Sequence, residues 1–358
     1  MGQSAEIQHR RTVGRKTHAR GIKDARRYDQ AGHPAEQRVS ANGTMQSWKK
    51  YTWDVNDRLV QDFDALAQPS TGFKQDTAGN LIFAQYADNS IVYQSADDTS
   101  KIYENKERSD MKYNEAGALT ESEEYLYKYY EEGNLLSKTA KATHRKTRYE
   151  WQANGMLKHV EKPDGTVVKF EYDALGRRTA KIFNDRITRY LWDGNVPLHE
   201  WYYRETEKPV VIVNEWGEFT YDKEEPVEDL ITWIFDADSF VPTAKIVDGK
   251  KYAIISDYLG TPQMMFDEDG KKVWEGVLDI YGRLRTLIGE KSDLPFGYPG
   301  QYEDAETGLY YNRYRYYDCE SGGYIIEDSI GLAGDNPTTY AYVFDSNEEY
   351  KLMRNPTI

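Results

Sequence analysis

Three side chains near the C-terminal end could do acid–base chemistry together: Asp318, Asp328 and, three residues before the first of them, Arg315. Two carboxylates close enough to share a proton divide their roles, one acting as base while the other stays neutral. Asp318 and Asp328 flank a turn at Cys319–Gly323. A regular hairpin centred near Ser321 sets Asp328 across from Arg313 to Arg315. The carboxylates are then about four strand residues out of step, on the order of 13 Å apart. A bulge or bend would bring them together. Without one, Asp328 forms a cross-strand pair with an arginine, worth at most about 1 kcal/mol if exposed. Both readings stand on the sequence.

Other chemistry finds little support. His9, His18, His33, His144, His159 and His199 show no metal spacing and no HExxH. There is no GxxxxGK[ST] phosphate loop and no GxSxG elbow. Asp267-Glu-Asp269-Gly270 has the opening of a calcium loop but lacks the remaining ligands, so it reads as a hairpin turn. Cys319 is the only cysteine, which excludes an intramolecular disulfide and a cysteine-cluster metal site. A cysteine nucleophile wants a neighbouring base, and the nearest histidine in sequence is His199, so the thiol reads as incidental. No cofactor is expected.

The elements that position these residues are strands. Six tyrosines fall between Tyr302 and Tyr317, interleaved with Arg313 and Arg315. Leu309 to Asp318 alternates as one strand, Cys319 to Gly323 is a turn, and Tyr324 to Asp328 is the return strand. Tyrosine suits such a sheet because the ring buries area while the hydroxyl still finds a partner. Upstream, one pattern recurs: Tyr28-Asp-Gln-Ala-Gly32, Trp53-Asp-Val-Asn-Asp57, Tyr113-Asn-Glu-Ala-Gly117, Trp151-Gln-Ala-Asn-Gly155 and Tyr172-Asp-Ala-Leu-Gly176. With Gly79 and Gly133 the turn positions are spaced 25, 22, 38, 16, 22 and 21 residues apart, a repeat architecture. An aromatic ends a strand, Asp or Asn and Gly make the turn, and Leu or Arg opens the next strand. A second turn at Pro163-Asp-Gly165 makes each repeat about two strands. The expected fold is all-β: a long antiparallel sheet that spirals, finished by an aromatic-rich hairpin near Pro295–Gly334. Residues 1–27 read as a basic, disordered leader, 28–199 as repeats, 200–235 as an acidic insertion, 236–347 as further hairpins and the aromatic core, and 348–358 as a divergent tail.

Composition sets the remaining bounds. Lys and Arg number 46 against 60 Asp and Glu, a net charge of −14 with a pI near 5.1. Residues 1–40 hold nine Lys/Arg against four Asp/Glu, so the body is more acidic still. An acidic body argues against nucleic acid as a partner, since such binding neutralises phosphates with basic surface. No apolar run approaches the roughly 20 residues that cross a bilayer, and the N-terminus lacks the apolar stretch of a secretory signal. Location is therefore cytoplasmic unless a signal-independent secretion system exports the chain.

The stretch from Gly300 to Gly334 reads GQYxDxETGLYYNRYRYYDxxxGxxIxxDxIGLAG, which resembles the core-domain signature of Rhs and YD-repeat proteins. Asp257-Tyr-Leu-Gly-Thr-Pro262 and Tyr281-Gly-Arg283 also look like that family, and the repeats are similar to degenerate YD repeats. The resemblance implies a hollow β-shell around a C-terminal toxin domain, with secretion machinery as a further partner. It also implies an aspartyl-type self-cleavage that releases the C-terminal polypeptide, with Asp318, Asp328 and Arg315 as its residues. Two departures bear on that activity. Ser329 stands where the family has proline, and Glu348-Glu-Tyr-Lys-Leu-Met353 replaces the segment that carries the cleavage point. The expectation is an encapsulation module that lacks its cargo and its self-cleavage. A self-processing protease and a carbohydrate- or surface-binding β-protein are the alternatives. Inward-facing aromatics would favour the shell, and lines of exposed rings the sugar binder.

Overall fold

The computed structural model describes residues 13–17 and 21–328, apart from 78, 98 and 100, together with 339–341. Residues 1–12 and 18–20 of the expected leader, Ser329 and the 348–358 tail lie outside the described residues. Within the leader, Val13–Thr17 and Ile22–Tyr28 are paired antiparallel strands, so the sheet begins earlier than the charge pattern indicated. The physical reason is that the second strand's charges find partners. Asp24 is buried, yet it accepts hydrogen bonds from Gln37 Nε2 and Arg26 Nε, each at 3.1 Å, while Ile22 supplies the apolar contact.

Among the described residues, eight strands form one sheet in chain order, from Val13–Thr17 to Ile91–Tyr93. Sixteen form a second, from Lys112–Tyr113 to Leu284–Ile288. Each strand is hydrogen-bonded to its neighbour in sequence, with a single jump from Val196–Arg204 to Glu228–Phe235. The jump steps over a hairpin, Val211–Val213 with Phe219–Tyr221, that pairs only with itself. The acidic excursion is thus narrower than 200–235, because both of its flanks are strands of the main sheet.

The repeat has a mechanical basis. In the Asp173–Gly176 turn, Asp173 Oδ1 accepts the N–H groups of Leu175 (2.9 Å) and Arg177 (2.8 Å), while Gly176 N–H returns to the Asp173 carbonyl at 3.0 Å. Gly176 takes φ +73°, which a side chain would resist. Asp54, Asn114, Asp267 and Asp279 repeat this side-chain turn. The register slips beside the aromatic that precedes each turn, between Glu150 and Trp151 and between Glu171 and Tyr172. On the far side, ladder pairing of the preceding strands stops before the residue that opens the strand, for instance at Ser137↔Arg148, short of Leu135. That leaves a carbonyl outside the ladder, and the next repeat's aromatic reaches it. Trp151 Nε1 donates to the Leu135 carbonyl at 2.8 Å, Tyr172 Oη to Leu157 at 2.8 Å, Trp192 Nε1 to Arg178 at 2.7 Å and Trp53 Nε1 to Pro34 at 2.7 Å. Gln75 Nε2 does the same to Leu59 at 2.9 Å. At these turns Tyr, Trp or Gln supplies a polar tip for that carbonyl, whereas Phe235 and Phe266, which precede the turns at Asp236 and Asp267, pack as apolar side chains instead.

The aromatic core lies on the inner face of the second sheet. Its strands Tyr302–Asp304, Leu309–Asn312, Arg315–Asp318 and Gly323–Tyr324 form a separate four-stranded sheet. Tyr302, Leu309, Tyr311, Tyr316 and Ile325 pack into one apolar cluster with Leu135, Leu157, Val168 and Phe170 of the repeats. Leu309–Asp318 is therefore not one strand, as its alternation suggested, but two joined at Arg313-Tyr314, with Asn312 paired to Arg315. Arg313 takes φ +59° without being Gly or Asn, so the usual turn signal is missing. It is held there by its guanidinium, which bonds Asn195 Oδ1 and the Leu175 carbonyl. The first sheet closes on the far end of the second. Ile22, Val39 and Ala41 pack with Ile255, Met264 and Phe266, and Tyr281 Oη donates to the Tyr93 carbonyl at 2.8 Å.

Trp151→Phe keeps the ring and removes the donor. It should lower stability by about 1–3 kcal/mol, the cost of a carbonyl left unmatched, and urea unfolding should show a lower midpoint at unchanged slope. No change in midpoint would mean that water already serves the Leu135 carbonyl.

Candidate functional site

Each of the two sequence-identified carboxylates is held by a cation of its own. Asp318 ends the strand Arg315–Asp318 and is buried. Its Oδ2 lies 2.7 Å from Lys138 Nζ on a repeat strand, and its Oδ1 accepts the Glu320 N–H at 3.1 Å. Lys138 also sits 4.4 Å above the ring of Tyr125. Burial alone would push this lysine down, but the Asp318 carboxylate outweighs it, and the ammonium is held above its usual range. Asp328 instead meets Arg315 Nη1 at 2.9 Å. That guanidinium stacks 3.6 Å over Tyr324, whose hydroxyl accepts from Asn312 Nδ2 at 2.8 Å.

The ladder agrees with this division. Tyr317 pairs with Tyr324 and Asp318 with Gly323, so Asp328 lies well along the return segment, where its N–H donates to the Thr339 carbonyl at 3.0 Å. Arg315 and Asp328 come together, whereas Asp318 turns to the repeat sheet. Cys319 is half-buried, and burial together with the neighbouring Asp318 and Glu320 carboxylates pushes its thiol far up, the reverse of an activated nucleophile. Among the described residues, no group of three or more His, Cys, Asp or Glu is placed to hold a metal ion.

A further set of buried charges lies elsewhere, where the sequence drew no attention. Arg178 is buried, and its Nη1 contacts Asp304 Oδ2 at 2.5 Å. The guanidinium carbon lies 4.5 Å from the ring centre of Tyr311, 4.8 Å from Tyr190, 5.2 Å from Tyr302 and 5.6 Å from Phe170. Lys181 adds a second cation, 3.3 Å from Asp304 Oδ1 and 2.7 Å from Glu306. Burial would lower the arginine and lysine, yet the facing carboxylates and rings hold both above their usual ranges. The backbone joins in: Arg178 N–H donates to Tyr311 Oη at 2.9 Å, and the Tyr172 and Tyr316 hydroxyls meet at 2.8 Å. One signal could have found this site. Leu59, Leu81, Leu119, Leu135 and Leu157 open their strands as buried apolar residues, and Arg178 occupies the same place in the repeat. A charge at a position that is otherwise core demands a buried counter-charge.

Glu200 makes a third tie of the same kind. It accepts Tyr302 Oη at 2.9 Å and Trp233 Nε1 at 3.3 Å, so one carboxylate bonds the core sheet to the strand Val196–Arg204 and that strand to its neighbour Glu228–Phe235. The chemistry of these groups is that of anchoring, since each charge is matched by a fixed partner inside the protein.

Asp304→Asn should destabilise by about 3–5 kcal/mol, because it leaves Arg178 buried without its counter-ion. Arg178→Met combined with Asp304→Leu should recover much of that loss. A double-mutant cycle read by denaturant unfolding checks this, and additive losses would show that the two residues act independently.

Residues 23–351 match the Teneurin YD-shell family model. The chain is 29% identical over 352 residues to double-stranded DNA deaminase toxin A of Burkholderia cenocepacia, covering 90% of this chain and 23% of that protein. It is 30% identical over 358 residues to toxin protein Tse5 of Pseudomonas aeruginosa, covering 89% of this chain and 26% of the relative. A TcdB2-TccC3 crystal structure overlays with a TM-score of 0.48 at 15% identity, over 91% of this chain and 21% of that one. The chain thus spans about a quarter of the length of these curated relatives. With its repeats, its inner aromatic sheet and a family match over nearly its whole length, the chain belongs to the YD-shell family of Rhs-type repeat proteins.

Proposed function

We propose that the chain forms wall and inner lining of an Rhs-type shell that encloses a polypeptide, the C-terminal toxin domain of a polymorphic toxin. The observation that carries this reading is the direction of the rings. Tyr127, Tyr149, Tyr190, Tyr302, Tyr311 and Tyr316 are buried between the repeat sheet and the core sheet. Among the described residues, the largely exposed rings are Tyr130 and three on the hairpin that leaves the sheet, Trp216, Phe219 and Tyr221. A sugar-binding face would present rows of rings to solvent, so the carbohydrate reading loses its support. The relatives bear the names of toxins, and the chain matches about a quarter of their length, a share that suits a shell segment and not the toxic activity itself. The partners on this reading are the enclosed toxin domain and the secretion machinery that delivers it.

Asp318, Asp328 and Arg315 serve this shell as ties. Lys138 binds Asp318 to the wall, and the Arg315–Asp328 pair fixes the return segment beside the core sheet. A proton-sharing dyad needs both carboxylates facing one another, and the separate cations favour the structural role over the self-cleaving one.

The shell reading is tested with an unstructured polypeptide appended after Ile358. It should resist trypsin markedly better on the parent protein than on the Asp304→Asn variant, in which the inner sheet is loosened. Equal digestion on both, at the rate of the free polypeptide, would contradict encapsulation. Intact mass spectrometry of the same samples checks the self-processing alternative, which requires a fragment that disappears in Asp318→Asn or Asp328→Asn.

A further inference from the structure

Among the described residues, the hairpin Val211–Val213/Phe219–Tyr221 pairs with no other strand. Val211 pairs with Tyr221 and Val213 with Phe219, so these four side chains share one face of the ribbon, while Ile212 and Thr220 share the other. The face is open: Phe219 is 83% exposed, Tyr221 64%, Val213 60% and Val211 56%, and Trp216 at the tip is 79% exposed. A two-stranded ribbon alone is marginally stable in water, and a contiguous apolar face on it marks an interaction site.

Its base and tip are nonetheless fixed. Glu225 forms an ion pair with Arg189, Nε to Oε1 2.8 Å, and accepts from Tyr203 Oη at 2.5 Å, while Lys208 meets Glu171 at 2.5 Å, so both roots are tied to the main sheet. At the tip, Asn214 Oδ1 accepts the N–H groups of Trp216 (3.0 Å) and Glu218 (2.9 Å), the same built turn that shapes the repeats. A presented, pre-shaped ribbon costs little ordering on binding.

Charge decides among occupants. Residues 205–229 hold nine Asp or Glu against two Lys. Two copies joined face to face through this ribbon would bring like charges together, and an anionic membrane surface is repelled in the same way. We propose that the hairpin is a docking ribbon for a polypeptide partner whose contact face is apolar and rimmed with lysine or arginine. The apolar face supplies affinity, the open strand edges offer main-chain pairing, and the acidic rim selects the basic partner. This inference is independent of what the shell encloses.

Hydrogen exchange of residues 211–221 in the full chain tests it, with a short peptide of alternating valine and lysine as probe. The peptide should slow exchange there severalfold at low salt and less at high salt, and its counterpart with glutamate for lysine should not. Val213→Ser with Phe219→Ser should abolish the protection at an unchanged melting temperature, since neither side chain is buried within this chain. The proposal fails if the two peptides protect equally or neither does at millimolar concentration. It fails equally if neutral phosphatidylcholine vesicles protect the segment better than the basic peptide, which would assign it to lipid, or if raising the protein concentration alone protects it, which would assign it to a second copy.

Discussion

The pairing of Arg178 with Asp304 ties a repeat strand to the core sheet through two buried ions that neither sheet satisfies alone. A guanidinium and a carboxylate taken out of water are each costly, and only a close, complete pairing offsets that cost. Here the arginine comes from the opening position of a repeat strand and the aspartate from the first strand of the core sheet. The surrounding rings of Phe170, Tyr190, Tyr302 and Tyr311 belong to both. The cage is complete only when the two sheets are docked. It therefore fixes where the core sheet sits and excludes other registers against the wall, in which an ion would be left without its partner.

The wall is a different kind of structure, regular and local. Its strands pair with their neighbours in chain order, its turns are held by their own Asp or Asn side chains, and its repeat ends are clasped by a Tyr, Trp or Gln tip on the carbonyl of the repeat before. Such a sheet can be lengthened by repeats without altering its physics. It has one buried face to cover, and the core sheet covers it with tyrosines whose hydroxyls reach backbone groups. Tyr310 donates to Gly282, Tyr317 to Tyr281 and Tyr298 to Asp279, at 2.9, 2.9 and 3.0 Å. Rings give area, and hydroxyls satisfy the polar edge where the long sheet ends.

The meander was legible because its signals are short-range: Asp-x-x-Gly turns, period-two alternation and an aromatic at each strand end. What escaped the sequence depends on partners distant in the chain. The turn at Arg313-Tyr314 carries no turn residue, because Asn195 and Leu175, far upstream, hold the arginine in place. Residues 22–27 looked like basic leader because the groups that satisfy them, among them Gln37 and the Ser256 carbonyl, lie on other strands. The carboxylates Asp318 and Asp328 could be found by residue type, and the Asp328–arginine pairing was one of two geometries open. Lys138, which takes Asp318, is separated from it by 180 residues and left no local mark.

The central claim is that wall and core sheet form one cooperative unit joined through the buried arginine. Native-state hydrogen exchange measures this directly. The amides of the repeat strands between Tyr125 and Asp193 and those of the core strands between Tyr302 and Tyr324 should open together, with one free energy that falls by the same amount in both when Asp304 is replaced by asparagine. A core sheet that opens at lower free energy while the repeat strands stay protected, or an Asp304→Asn effect confined to the core strands, would contradict the account.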